Sequence, residues 1–334
     1  MQDNLIYLQI FIFTISNLFF FIQRKKIYYY LNTVDKPDGK IKLHKKIVYP
    51  VGGLIFFFNV VPFFLLEIFF RKEIHEFYGD TLYDNLVFIF AITSLVLVGL
   101  FDDKYNLNYY TKLILLTVII FICVSINENL IITELRFSFT KDVIYLGEMS
   151  KFLTILSFLL FINALNLFDG IDLQSGTYIL IIISVFLLFL KLEIFFILLI
   201  SCLIFLYLNF KKEIFLGDNG TILLGFIISY FCIYFYNDNL FLGDEVFILL
   251  MVPGIDMIRL FILRISKGKH PFKGDRNHMH HLLIKKYGYL KTIIIINLII
   301  LVLIFGNLIL KISSVVILPL YLLSYYFLIR KKKA

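Results

Sequence analysis

The sequence predicts an all-α integral membrane protein with about eleven transmembrane helices. Hydrophobic residues make up 60% of its 334 residues and charged residues only 17%, whereas soluble domains are about half apolar. Long apolar runs recur almost to the C-terminus, and a helix needs about 20 such residues to cross a bilayer. A soluble helical protein is disfavoured because too little polar sequence remains to cover its surface.

Eleven apolar segments are the candidate spans. They are residues 5–22, 47–66, 86–101, 111–126, 151–167, 176–190, 194–208, 219–236, 245–263, 292–310 and 313–329. Several have only about sixteen residues, so a turn at residue 192 within one kinked helix is an alternative for two of them. No polar stretch is long enough for a soluble module. Residues 1–334 are therefore expected to form a single integral domain.

The distribution of Lys and Arg predicts the orientation of these spans, because short cytoplasmic loops are enriched in both residue types. With the N-terminus outside, one set of segments carries 24 of the 32 Lys and Arg residues. These segments are 23–46, 102–112, 163–175, 209–218, 264–291 and 330–334. They are predicted to face the cytoplasm, together with the C-terminus. The net charge of +8 then indicates contact with the anionic inner leaflet, not with nucleic acid.

Polar motifs collect in the loops assigned to the cytoplasmic face, beginning with an acidic pair. Asp102 and Asp103 directly follow a span, at a depth where an uncompensated carboxylate is costly. Adjacent carboxylates suit cation binding or proton transfer. An acidic helix end paired with Lys104 is an equally weighted alternative. Lys112 begins the next span, from which its ammonium group can reach back towards an anion.

A second motif repeats amides and carboxylates at every third position. Asn163, Asn166, Asp169 and Asp172 lie at the predicted cytoplasmic end of a span. This spacing places neighbours on adjacent sides of a helical turn, until Gly170 lets the backbone bend. Four polar groups at this depth need partners, which can be a ligand, a cation or one another. A functional role is therefore favoured over packing.

A third motif, FLGDNG at residues 215–220, contains Phe215 and places Asp218 between two glycines. A carboxylate in this setting is a candidate cation ligand with room for phosphate oxygens. Mg²⁺ typically takes one or two protein carboxylates together with substrate phosphates. For the motif alone, an aspartate that caps a helix at a tight turn is the simpler explanation.

The stretch GDRNHMHHLL, residues 274–283, holds three of the six histidines. It lacks the cysteine partners and the His-x-x-x-His spacing of common zinc sites. On a helix, His278 and His281 share a face and His280 points away. The basic residues nearby are Arg264, Lys267, Lys269, Lys273 and Arg276. Because Arg offers forked donors and His a tunable hydrogen bond, the cluster is predicted to recognise phosphate.

Taken in order and on one predicted face, these motifs resemble the polyprenyl-phosphate N-acetylhexosamine-1-phosphate transferases (glycosyltransferase family 4). The resemblance runs from about Asp35 to His281, and the eleven-span topology agrees with the family's bacterial branch. The DRNHMHH form is similar to the undecaprenyl-phosphate GlcNAc-1-phosphate transferases that start O-antigen, enterobacterial common antigen, teichoic acid or capsule assembly. It differs from the HHHFE-like form of the translocase that makes the first lipid-linked peptidoglycan precursor.

The resemblance implies a reaction, partners and a location. A UDP-N-acetyl sugar would donate its sugar 1-phosphate to undecaprenyl phosphate and release UMP. Mg²⁺ would be the cofactor, with Mn²⁺ as an alternative. The enzyme would lie in the bacterial inner membrane with its active site facing the cytoplasm. A homodimer is left open, and no nucleic-acid partner is expected.

The resemblance also carries roles to the acidic motifs. Asp218 and Asn166 match the family's metal-binding positions. Asp102 and Asp103 match its essential pair, of which the first is the candidate for deprotonating the lipid phosphate. Lys112 lies where a basic residue contacts the diphosphate.

Further roles carry over to the donor side of the site. Asp169 and Asp172 match positions that line the nucleotide pocket, and Phe215 lies where an aromatic ring stacks on uracil. The loop that recognises phosphate and sugar is matched by Arg276, His278, His280 and His281. Among these we assign His278 and His281 to catalysis. The remaining substrate-binding candidates are Asn163, Arg264, Arg276 and His280.

Two departures leave the donor sugar open. Where relatives read DGxDGL, this chain has Asp172-Leu173-Gln174, and where many have a third acid after the aspartate pair it has Asn106. Another UDP-N-acetyl deoxy-amino sugar is therefore the first alternative donor. A secondary transporter is less favoured, because its polar residues would lie near the middle of the membrane.

Overall fold

The structure is a computed structural model, and it describes residues 2–35, 47–70, 82–190, 192–272 and 275–330. Twelve α-helices run through these ranges. They are α1 (Gln2–Leu31), α2 (Gly52–Phe70), α3 (Leu82–Tyr105), α4 (Tyr109–Ile126), α5 (Ser150–Phe168), α6 (Gln174–Leu190), α7 (Glu193–Phe210), α8 (Gly217–Asn237), α9 (Gly243–Ile265), α10 (Met279–Tyr287), α11 (Tyr289–Ile304) and α12 (Ser314–Ile329). Part of the first predicted loop (36–46), Lys273 and the C-terminal lysines lie outside the described residues.

The helices confirm an all-α polytopic membrane protein. Within the described ranges, nine segments are long and apolar enough to cross a bilayer. The apolar helices α6 and α12 are shorter, at 17 and 16 residues, and coincide with two more predicted spans. Because α6 ends at Leu190 and α7 begins at Glu193, the two segments around residue 192 are separate helices. Eleven membrane crossings and their orientation remain predictions.

Four short strands are not predicted by the sequence. Strand β1 (Tyr49–Pro50) pairs in parallel with β4 (Ile214–Phe215), and β2 (Glu134–Leu135) pairs antiparallel with β3 (Ile144–Tyr145). Strands of two residues are too short to show an alternating pattern. The β1–β4 pair matters for the site because it joins the segments that lead into α2 and α8.

Helix α8 lies at the centre of the bundle, with residues 219–236 all buried, and packs against α2, α3 and α5. Small residues permit this close approach. A Cβ atom added to Gly53 would lie 2.6 Å from the Cα of Gly220, and one added to Gly99 would lie 2.2 Å from the Cα of Asn219. Glycines let helix backbones approach closely inside a membrane. The first turn of α8, which carries Asp218, is therefore held firmly between α2 and α3.

Candidate active site

A cavity of about 640 Å³ opens where several helix ends meet, a volume typical of small-molecule sites. The ends of α3, α5 and α7, the beginning of α8 and the first turn of α10 all contribute to its wall. Ten of the predicted site residues line it. They are Asp102, Asp103, Asn166, Asp169, Asp172, Phe215, Asp218, His278, His280 and His281.

Lys112 connects the first acidic motif to the third. Its Nζ lies 2.7 Å from Asp102 Oδ2 and 2.5 Å from Asp218 Oδ1. Asp102 also accepts a hydrogen bond of 2.8 Å from the backbone N–H of Leu107. The alternative partner, Lys104, lies over the ring of Tyr105 instead. One ammonium group therefore neutralises two carboxylates that are 116 residues apart in sequence.

Asp103 plays a different part, because its carboxylate caps helix α8. Asp103 Oδ1 accepts the backbone N–H of Asp218 at 2.8 Å, and Oδ2 accepts the backbone N–H of Asn219 at 3.0 Å and its side-chain amide at 2.6 Å. Leu216, at the N-cap position, makes no side-chain capping bond. A carboxylate here satisfies orphan N–H groups and complements the helix dipole. The geometry therefore gives Asp103 a positioning role.

Asp218 is presented to the cavity by a glycine turn. Gly217 has φ +74°, and a Cβ atom there would lie 2.9 Å from both Asp103 Oδ2 and the Pro50 carbonyl oxygen. The side-chain amide of Asn166 donates to Asp218 Oδ1, and also to Thr221 Oγ1 at 2.9 Å. The turn and the amide together fix the Asp218 carboxylate.

The residues around Asp218 fit a magnesium ion. A carboxylate and the side-chain oxygen of an amide are hard donors of the kind that Mg²⁺ accepts, and the open cavity beside them has room for phosphate oxygens. The ammonium of Lys112, between Asp102 and Asp218, occupies a position that favours positive charge. Within the described ranges, no three His, Cys, Asp or Glu side chains are grouped so as to hold a metal by themselves.

The wall next to Asp218 contains the second motif. Asp169 accepts a hydrogen bond from the Ser175 hydroxyl, and burial raises the pKa of Asp169 to about 7, despite that bond. The backbone carbonyl of Asp172 accepts the Tyr289 hydroxyl at 2.8 Å. Phe215, on β4, lines the same cavity. An aromatic ring and two acids are therefore available to a ligand on this side.

Asn209, which the sequence analysis missed, fixes the backbone on this side of the cavity. Its Oδ1 accepts the N–H of Leu173 at 2.7 Å, and its Nδ2 donates to the Ile214 carbonyl at 2.8 Å. Leu173 has φ +70°, and Lys212 has φ +58°. Positive φ angles are unfavourable for such side chains. Two strained residues therefore bond to Asn209, Leu173 through the side chain and Lys212 through the backbone carbonyl at 2.9 Å.

The three histidines form one cluster in the cavity wall. The ring centroids of His278 and His280 lie 5.3 Å apart with an interplanar angle of 23°, and those of His280 and His281 lie 4.3 Å apart. The prediction that His280 points away from the other two is wrong. Helix α10 begins at Met279, so His278 precedes the helix and the assumed helical spacing does not apply.

Burial governs the protonation of this cluster. It lowers the pKa of His278 to about 4 and that of His280 well below its usual value. His280 is only 2% exposed and packs on Gly170, where an added Cβ atom would lie 2.1 Å from the imidazole ring. Neither ring nitrogen of His280 has a hydrogen-bond partner among the described residues. Neutral imidazoles are therefore available to a ligand at neutral pH.

Four predicted residues lie outside the cavity wall: Lys112, described above, Arg264, Arg276 and Asn163. Arg264 is 1% exposed and donates to the Pro271 carbonyl at 2.6 Å. It also pairs with Asp275 at 3.3 Å and approaches His278 Nε2 at 3.2 Å. Arg276 is exposed, and Asn163 donates to the Leu159 carbonyl at 2.7 Å. Arg264 therefore holds the histidine loop through contacts outside the cavity.

Several residues that support the site were not predicted from the sequence. They are Ser175, Asn209, Lys212, Asn219, Asp256 and Asp275. Asp256 offers the clearest sequence signal, because an acid inside an apolar span usually has a function. The others lie beside predicted motifs. Asn209 and Asn219 bond to residues 36 and 169 positions away, which no local pattern reveals.

The fold and the cavity define a class: a polytopic membrane protein with an acid- and histidine-lined site at one end of its helix bundle. A sequence profile of glycosyl transferase family 4 matches residues 85–236. A Bacillus subtilis protein described as a probable undecaprenyl-phosphate N-acetylglucosaminyl 1-phosphate transferase is 30% identical over 268 residues, covering 77% of this chain and 71% of the relative. The chain therefore belongs to glycosyl transferase family 4.

Two other relatives carry similar names. An undecaprenyl-phosphate alpha-N-acetylglucosaminyl 1-phosphate transferase of Thermotoga maritima is 29% identical over 268 residues, covering 79% of this chain and 77% of the relative. The protein of that name from Salmonella typhi is 25% identical over 288 residues, with coverages of 82% and 75%. The family resemblance predicted from the motifs is confirmed.

Proposed function

We propose that this protein transfers N-acetylhexosamine 1-phosphate from a UDP-sugar to undecaprenyl phosphate and releases UMP. The observation that carries the proposal is the Lys112 bridge between Asp102 and Asp218, which joins two acidic motifs in one cavity. The names of the relatives support the same reaction.

The bond changes in this reaction are simple. An oxygen of the lipid phosphate attacks the β-phosphorus of the UDP-sugar, and the bond from that phosphorus to the bridging oxygen breaks. UMP leaves, and a lipid diphosphate sugar remains. Such transfers depend mainly on positioning the reactants and neutralising their charge. In this proposal Asp102, which lines the cavity, accepts a proton from the lipid phosphate, and Lys112 supplies positive charge beside it.

Asp218 and Asn166 would hold Mg²⁺, with Mn²⁺ as an alternative. When bound, the ion neutralises the negative charge on the diphosphate. Asp103 contributes by holding the first turn of α8 in place, through its bonds to Asp218 and Asn219. The charge of the diphosphate is thus neutralised in the region of the cavity around Asp218.

The other walls bind the donor in this proposal. Phe215 offers a ring on which uracil can stack, with Asp169 and Asp172 beside it. The neutral imidazoles of His278 and His281 offer hydrogen bonds to phosphate and sugar oxygens. Such bonds do not require the histidines to be charged, which agrees with the lowered pKa of His278.

Residues 1–334 are proposed to act as one integral domain of the bacterial inner membrane, with the cavity facing the cytoplasm. The bias of Lys and Arg towards the loops on the cavity side supports this orientation. Nucleotide sugars are soluble and the acceptor is a lipid. A site at the membrane surface gives both substrates access.

The proposal is tested with purified protein, undecaprenyl phosphate and a panel of UDP-sugars that includes UDP-GlcNAc and deoxy-amino sugars. We expect UMP release with at least one donor, only with Mg²⁺ or Mn²⁺, and abolished by chelator and by Asp218→Asn. Lys211→Gln serves as the control, because it removes an exposed charge close to the same loop. Near-normal turnover by Asp218→Asn would contradict the metal assignment.

A further inference from the structure

A largely buried ion pair on α9, between Asp256 and Arg259, bonds to the loop that carries the histidines. Asp256 is 3% exposed, and its Oδ1 accepts Arg259 Nη2 at 2.7 Å and Nε at 3.2 Å. Arg259 Nη2 also donates to the carbonyl of Asn277 at 2.6 Å. Asp256 Oδ2 accepts the backbone N–H of Met279 at 3.2 Å. The pair therefore holds the peptide groups on both sides of His278.

This contact completes a helix end that the local sequence leaves open. His278, at the N-cap position of α10, makes no side-chain capping bond. The oxygen of Asp256 supplies one of the acceptors that the first N–H groups of a helix require. The carboxylate also lies 3.8 Å from His278 Nδ1. One side chain of α9 thus sets both the start of α10 and the surroundings of His278.

The last helix contributes the third member of this network. The hydroxyl of Tyr325, on α12, donates to Asp256 Oδ1 and accepts Arg259 Nε at 2.6 Å. Tyr325 is 4% exposed. Buried charges are costly unless paired and hydrogen-bonded, and here every partner lies on α9, on α12 or in the histidine loop. A pair needed only to join α9 to α12 would not require the bonds to Asn277 and Met279.

We propose that Asp256, Arg259 and Tyr325 form a loop clamp, a set of positioning residues that holds the histidine cluster against the donor side of the cavity. The clamp acts through the backbone of residues 277–279, and none of its members is assigned a contact with substrate. His280 packs on Gly170, in the turn between α5 and α6, and His278 stacks on His280, so a shift of the loop at His278 changes the width of the cavity. This inference rests on the proposed function for its kinetic consequences.

The test compares Asp256→Asn and Tyr325→Phe with a matched control in the full-length protein. An amide has one acceptor oxygen, so Asp256→Asn cannot serve both Arg259 and Met279. Tyr325→Phe removes only the hydroxyl. This milder variant tests the clamp even if Asp256→Asn does not fold. The control is Tyr178→Phe, which removes an equally buried hydroxyl that donates to the Leu249 carbonyl on α9 at 2.9 Å.

Hydrogen–deuterium exchange and kinetics are the two readouts. We expect faster amide exchange at residues 277–283 in both clamp variants but not in Tyr178→Phe. We also expect kcat/KM for the UDP-sugar to fall about tenfold in Tyr325→Phe, as for the loss of one hydrogen bond to a charged group. The KM for undecaprenyl phosphate should not change.

Unchanged exchange at residues 277–283, or equal acceleration in Tyr178→Phe, would overturn the clamp and leave only a link between helices. A fall in kcat/KM that merely follows the folded fraction would do the same. The exchange measurement needs no substrate. If the wild-type protein released no UMP, the proposed function would be wrong. The amide exchange rates at residues 277–283 would still show whether the clamp exists.

Discussion

Asp102 and Asp103 are neighbours in sequence but have different partners. Asp102 faces the ammonium of Lys112, and Asp103 faces the N-terminus of α8. Residues 218 and 219 lie 115 and 116 positions from Asp103, so no local pattern could distinguish the two aspartates. The motif predicted an acidic pair at the site, and only the fold separates the carboxylate that pairs with Lys112 from the one that caps α8.

This separation predicts different effects on stability. Asp103→Ala removes the acceptor of three hydrogen bonds at the start of α8 and should lower the free energy of unfolding by about 2 kcal/mol. Asp218→Asn should abolish turnover with a smaller loss of stability. Cys123, Cys202 and Cys232 are free and buried, so a thiol-reactive dye can follow unfolding of both variants. Equal stability of the two would contradict the capping role.

Lys212 offers a second prediction for a single side chain. It is exposed, lines the cavity and has φ +58° just after α7, where glycine is favoured. Lys212→Gly should therefore raise stability by about 1 kcal/mol. If its charge assists donor binding, the same change should raise the KM for the UDP-sugar.

The matched control is Lys211→Gly, one position earlier. Lys211 is equally exposed but has φ −69°, so glycine there relieves no strain and should be neutral or slightly destabilising. Thermal unfolding and initial rates measure the two effects separately. Stabilisation by both variants would show that strain at Lys212 is not the cause.

The helices were the most predictable elements. The predicted span 86–101 lies within α3 (Leu82–Tyr105), and 245–263 lies within α9 (Gly243–Ile265). A long apolar run predicts its helix without any knowledge of distant contacts. The first residue of α10 was less predictable. Its N-terminal contacts come from Asp256 on another helix, which explains why the orientation of His280 was predicted wrongly.

Contacts between elements give a third prediction. Gly99→Ala would place a methyl group 2.2 Å from the Cα of Asn219, so α3 and α8 must separate and carry Asp218 away from Lys112. We expect a large loss of both stability and turnover. Gly254→Ala, inside α9, meets no atom within 4 Å and should gain up to about 1 kcal/mol in helix propensity. Thermal unfolding of both variants tests this difference, which fails if Gly99→Ala is tolerated as well as Gly254→Ala.

The whole molecule places its catalytic candidates at one end of the bundle, and the charge bias predicts that this end faces the cytoplasm. Lys211 lies at the cavity end, and Lys141 lies in the exposed segment between α4 and α5, at the other. In intact cells, a membrane-impermeant maleimide should label Lys141→Cys but not Lys211→Cys. Permeabilised cells provide the control, since both should then react. Labelling of Lys211→Cys alone in intact cells would reverse the orientation.

The most direct test of the proposed reaction follows the β-phosphate of the donor. Purified protein would be incubated with undecaprenyl phosphate, Mg²⁺ and an accepted UDP-sugar, such as UDP-GlcNAc, radiolabelled at its β-phosphate. Sugar-phosphate transfer predicts that the label moves into the lipid fraction and that unlabelled UMP appears in an equal amount. Label that remained in water as UDP, in proportion to the lipid product, would mean transfer of the sugar alone and would contradict the account.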